Sequence, residues 1–152
     1  MTRNFLVEKI VHSQLHLAVI LRHSFDCDGI HFLTPDSFSQ QLGYMKRPLG
    51  YAIAPHDHNL VPRTIEWTQE VLFIKSGIVR LDLYAPESRE YLESRVLETG
   101  DVVLLAHGGH GLVMLKESEI IEVKQGPYAG EADKTRFESV ATEHIKIVEY
   151  NQ

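Results

Sequence analysis

Hydrophobic and polar positions alternate most regularly between Gly77 and Pro86, where Val79, Leu81 and Leu83 are interleaved with Ile78, Arg80, Asp82 and Tyr84. A period of two belongs to a strand with one wet face, and it predicts a strand over 78–84. Short runs rich in Val, Ile, Leu or aromatics predict further strands over 15–22, 30–33, 50–56, 70–75, 94–98, 102–105, 111–115 and 119–125. Turn formers fall between the runs: Asp28-Gly29, Thr34-Pro35-Asp36, Pro48-Leu49-Gly50, Ser76-Gly77, Thr99-Gly100-Asp101 and Gly126-Pro127. Helix is scarce. Asn4 to Val11 reads as a short N-terminal helix, and Pro35 to Leu42 as a turn of helix opened by Pro35 or Asp36. Many short strands in succession favour an all-β barrel or jelly roll with minor short helices, because closure removes exposed edges.

The chain has 152 residues, enough for one hydrophobic core, with no linker, repeat or shift in composition, so 1–152 reads as a single domain. A formal net charge of -6 and scattered Lys and Arg argue against a nucleic-acid partner, which demands clustered cations. The lone Cys27 cannot form an intrachain disulfide, and its neighbours Asp26 and Asp28 disfavour a thiolate. The run Leu17 to Leu21 is too short for a membrane span and lacks a signal-peptide cleavage pattern. The expectation is therefore a cytoplasmic protein with no membrane partner.

Histidine changes this bland picture. Gly50-Tyr-Ala-Ile-Ala-Pro-His56-Asp-His58 places two imidazoles two positions apart at the end of an expected strand, where both project from one face and can converge on one ion. Glu70 begins the apolar run that ends at Gly77 and offers a carboxylate. The run from Gly100 ends in Ala106-His107-Gly108-Gly109-His110, so that His107 or His110 is available to complete a set of three imidazoles and one carboxylate. Such a mixed set suits several first-row metals, and iron, manganese, zinc and nickel are not distinguished by it.

These residues carry a resemblance to the cupin superfamily. Gly50, His56, His58, Glu70 and Gly77 stand where the first cupin motif has its Gly, its His-x-His, its Glu and its closing Gly. Gly100, the turn at His107 and the following histidine resemble the second motif, and the two core motifs cover 50–77 and 100–115. Ala106 stands where the second motif has its proline, that motif's later asparagine is absent, and two further departures bear on the ligands. Eleven residues separate His58 from Glu70, an insertion that makes Glu66 the alternative carboxylate, and His110 sits one residue early, which keeps His107 in competition.

The resemblance implies a small single-domain cupin, a double-stranded β-helix, with His56, His58, Glu70 and His110 holding a divalent metal. It also implies a homodimer. The function that follows is a metal-binding enzyme acting on a small polar metabolite such as a sugar or sugar phosphate, of isomerase, dioxygenase or hydrolase type. Its alternatives are a non-catalytic sugar- or metal-binding module and a metal-free, epimerase-like cupin in which a cavity histidine paired with a carboxylate is the base.

Other residues attract plainer readings. Trp67, Phe73 and Tyr84 read as packing or rim residues, and His12, His16, His23, His31 and His144 as locally hydrogen-bonded. Arg63 is surface charge or a cation for an anionic substrate. The stretch from Glu122 to Lys134 reads first as a solvated loop, with a border of the cavity mouth as the alternative.

Overall fold

The computed structural model describes residues 6–149. Its strands are β1 (Val7–His12), β2 (Leu15–Leu21), β3 (Gly29–Phe32), β4 (Gly43–Lys46), β5 (Glu70–Ser76), β6 (Ile78–Tyr84), β7 (Tyr91–Glu98), β8 (Val102–Leu105), β9 (Gly109–Met114) and β10 (Glu119–Lys124). Among the described residues helix is confined to two 3-10 turns, Gly130–Asp133 and Thr142–His144. Among the described residues no helix is long and apolar enough to cross a membrane.

Three antiparallel sheets form: β1-β2-β8-β5-β10, β7-β6-β9 and the hairpin β3-β4. The first two face each other across one core. Ala18, Ile20, Leu72, Ile74, Val103 and Leu105 contribute from the five-stranded sheet, and Val79, Leu81, Leu83 and Leu97 from the three-stranded sheet. The chain passes from one sheet to the other at Gly77, between β5 and β6. Its φ of +93° and the closeness of Glu117 O and the Ser118 side chain leave no room for a Cβ there.

β2 explains its own composition. Ala18 and Ile20 face the shared core, while Val19 and Leu21 pack on the opposite side with Phe25 and Leu33, next to Leu42 and Tyr44 of the hairpin region. A strand covered on both faces needs apolar residues in succession, which is what 17–21 supplies. A buried ionic cluster ties the ends of these strands together: Arg22 donates to Glu8 and Asp101, each at 2.7 Å, and Arg95 donates to Glu8 at 2.8 Å.

The all-β class holds, but the sheets stay open and do not close into a barrel. The expected N-terminal helix is β1 from Val7 onward, with Leu6 in a turn and Asn4 and Phe5 outside the described residues. The spacing of Val7, Ile10 and Val11 suits a helix face, yet register with β2 supplies the hydrogen bonds that decide the matter. The helical turn expected at 35–42 is a series of turns and bends. Gln41 bonds the carbonyls of Pro35 and Phe38 there, in place of a helical ladder. β4 was not expected and exists by pairing with β3. The strand expected over 50–56 is absent: 47–69 has no strand, because its alternating residues find no neighbouring strand to pair with.

Candidate functional site

Glu70 opens β5 opposite Leu105 of β8, and it shares the inward face of its strand with Leu72 and Ile74. His110 lies on β9 opposite Leu83 and shares a face with Leu112, which packs against the core. The two residues therefore approach from opposite sheets at one end of the core. Nε2 of His110 is 3.0 Å from Oε2 of Glu70, with the glutamate side chain 13% exposed and the imidazole 32%. The hydrogen bond from His110 holds the Glu70 carboxyl below the ordinary glutamate range against the opposing effect of burial, with the charges of His110, Lys134 and Lys124 acting in the same direction as the bond.

The pair sits in the wall of a cavity of about 450 Å³. Lys134, Arg136, Tyr84 and Phe137 line the same space. Its outer wall is the segment 133–139, which Tyr84 holds through two contacts. Phe137 meets the ring of Tyr84 edge to face at a centroid distance of 5.0 Å, and the Val140 amide donates to the Tyr84 hydroxyl at 3.0 Å. Gly109 is glycine for want of space, since a Cβ there would lie 2.6 Å from the Phe137 ring. Lys124, opposite Glu70 on β10, donates to Asp133 at 3.1 Å and fastens the start of the segment; that bond raises the lysine pKa. The first reading of Glu122 to Lys134 as a solvated loop is corrected here, because Asp133 and Lys134 belong to the cavity wall.

The other sequence candidates lie elsewhere. His56 and His58 sit on the exposed segment 47–68, with ring centroids 5.4 Å apart and Nδ1 of His56 3.0 Å from the Ala54 carbonyl. The structure thus brings Glu70 to His110, and His56 to His58, but among the described residues no group of three or more His, Cys, Asp or Glu is assembled for a metal ion. His107 lies in the turn before β9, and its Nδ1 is 2.9 Å from the His16 carbonyl. Its ring meets Trp67 edge-on at 5.4 Å. Glu66 lines a second cavity of about 330 Å³ beside that contact, together with Phe38 and Gln69.

His31 takes a local partner, the Asp28 carbonyl at 2.8 Å, whereas His23 pairs with the sequence-distant Asp101 at 3.2 Å. Sequence reasoning missed Arg136 and Phe137. Their adjacency in Lys134-Thr-Arg136-Phe137 was visible, but no spacing rule connects them to Glu70, more than sixty positions earlier. Comparison with family models, with curated proteins and with solved structures finds no match to this chain.

Proposed function

We propose that the cavity binds a small anionic polar metabolite and that His110, held by Glu70, moves a proton on it. The observation that carries this reading is the 3.0 Å contact between His110 and Glu70 in the wall of a cavity that also presents Lys134 and Arg136. A space of about 450 Å³ lies in the range of small-molecule sites. In a chain of net charge -6, a Lys and an Arg at one mouth favour a phosphate or carboxylate group.

The proton chemistry follows from the pairing. With Nε2 donating to Glu70, the neutral imidazole carries its lone pair on Nδ1. The carboxylate keeps that tautomer and stabilises the ring once it is charged. A proton taken by Nδ1 from a carbon next to a carbonyl, and returned to that carbon or its neighbour, is an epimerisation or isomerisation. A sugar or sugar phosphate fits both the charge and the size. The finer fold assignment, a cupin-type double-stranded β-helix, rests on the two motifs together with two facing sheets joined by repeated crossings.

A second reading has its own observation. Two ligands about 2.1 Å from one ion and at right angles to each other are about 3 Å apart, and Glu70 and His110 have that separation. They fit a divalent ion as two neighbouring donors, with His56 and His58 as the other two groups the resemblance implies. Such an ion supplies Lewis-acid activation of a carbonyl or of water when bound.

A thermal-shift screen of sugars and sugar phosphates, with and without iron, manganese, zinc and nickel, identifies the ligand class, since binding to the folded state raises stability. Proton exchange from D2O into the ligand, followed by NMR, then reports the chemistry. His110→Gln is expected to abolish exchange while binding persists, and Lys134→Ala with Arg136→Ala to weaken binding. Exchange unaffected by His110→Gln would refute the assignment, and tight binding without turnover would leave a binding module. Elemental analysis of wild type against His56→Ala/His58→Ala separates the metal reading.

A further inference from the structure

The smaller cavity, of about 330 Å³, has walls of a different character from those around Glu70 and His110. Its rings form a chain. Phe38 meets His107 edge to face at a centroid distance of 6.1 Å, and His107 meets Trp67 in the same way at 5.4 Å. Trp67 has no other ring contact among the described residues and is 60% exposed, so at least one face of the indole is free of any other ring. A free indole face in a cavity wall is a surface on which a ligand can sit.

Polar groups without partners gather at the same place. Gln69 lines the cavity and is 4% exposed; its Oε1 accepts from the Gln40 amide at 3.0 Å and from Ser39 Oγ at 3.1 Å, and its Nε2 has no partner among the described residues. Among the described residues two buried side-chain atoms lack a hydrogen bond, Nδ1 of His16 and Oε1 of Gln40. Both belong to residues that touch this wall, His16 through the Phe38 ring at 5.9 Å and Gln40 through Gln69. Buried polar groups are nearly always paired, so unpaired ones collected around one cavity point to a wall fitted to something besides the protein itself.

Charge says what that is. Glu66 is the one charged residue of the lining, and among the described residues it has neither an ion pair nor a hydrogen bond. His107 adds an acceptor: its Nδ1 donates to the His16 carbonyl at 2.9 Å, which leaves the lone pair of the neutral ring on Nε2. An anion would meet an unopposed carboxylate here. A cation gains that carboxylate, the Nε2 lone pair and an indole face whose quadrupole attracts positive charge. The larger cavity, which shares His107, presents Lys134 and Arg136 instead, so the two spaces select opposite charges.

We infer that this smaller cavity is a binding site for a small organic ammonium ion, seated on Trp67 with Glu66 as its counter-charge. Gln69 Nε2 is then the donor for an oxygen of the same ligand. The inference does not depend on the function proposed for the larger cavity. Trp67 is the single tryptophan of the chain, so intrinsic fluorescence reports on this site alone. Tetramethylammonium and n-butylammonium, titrated at constant ionic strength, are each expected to give a saturable change, and the neutral counterparts tert-butanol and n-butanol to bind about tenfold more weakly or worse. The order of the two cations tells a methylated from a primary ammonium ligand. Glu66→Gln should raise the dissociation constants of both cations roughly tenfold or more and leave those of the alcohols unchanged. Trp67→Ala, followed by saturation-transfer NMR on the cation, should weaken binding by a similar factor. Both side chains are exposed and lie outside the core clusters, so far-UV circular dichroism should match the wild type for both variants. His110→Gln should bind the cations as the wild type does, which keeps this test separate from that of the larger cavity. No saturable response to either cation, equal affinity for the alcohols, or cation affinity unmoved by Glu66→Gln would overturn the inference.

Discussion

Phe137→Ala tests whether the segment 133–139 is a separately held wall of the cavity. The ring is more than half buried, edge-on to Tyr84, with the Arg89 guanidinium 5.5 Å from its centroid. Truncation removes about 100 Å² of apolar contact, or about 2.5 kcal/mol at ~25 cal/mol/Å². The edge-to-face pair adds about 0.5–1.5 kcal/mol, and partial collapse of the segment gives some of this back, so a loss of about 2–3 kcal/mol is expected. Phe137 belongs to neither buried core cluster, and the loss should therefore fall on local opening of the segment and not on global unfolding. The Val140 amide, bonded to the Tyr84 hydroxyl, reports that opening. Its hydrogen-exchange rate by NMR should rise roughly 30- to 150-fold, while the amides of Leu81 and Leu83 hold theirs. An unchanged Val140 rate, or an equal rise at all three amides, would refute the reasoning, because the segment would then open only with the whole fold.

Three further outcomes are expected. Leu72→Ala, at a core position 1% exposed, should lower unfolding free energy in urea by about 2–5 kcal/mol. Gly77→Ala should cost about 1–3 kcal/mol in the same assay from its φ of +93° alone, and more if Ser118 cannot give way, since the added Cβ would lie 2.2 Å from its hydroxyl oxygen. Glu70 has a folded pKa below its unfolded value, so the stability its pair contributes is complete above about pH 4.3 and is lost as pH falls through the lower folded value. Thermal melts from pH 6 to pH 2.5 should therefore show a shallower decline for Glu70→Gln, and parallel curves would contradict the pairing with His110.

The sequence by itself determined most of the strands. β6 and β8 fall on the predicted residues, and β2, β5 and β10 fall within a residue of them, because alternation and apolar runs are local signals that report which side of a strand meets a core. It also marked Glu70 and His110, through carboxylate and imidazole at motif positions, without showing that they touch. Only the tertiary structure decided that contact, since it depends on two strands in different sheets ending at the same place. Tertiary structure also turned an expected N-terminal helix into β1 and left 50–56 without a strand, as a strand exists only where another supplies its hydrogen bonds. For the same reason the sequence offered Lys134 only as an alternative border of the cavity mouth and did not mark Arg136 or Phe137: all three gain their role from chain folded back over Tyr84, a contact that no spacing along the chain encodes.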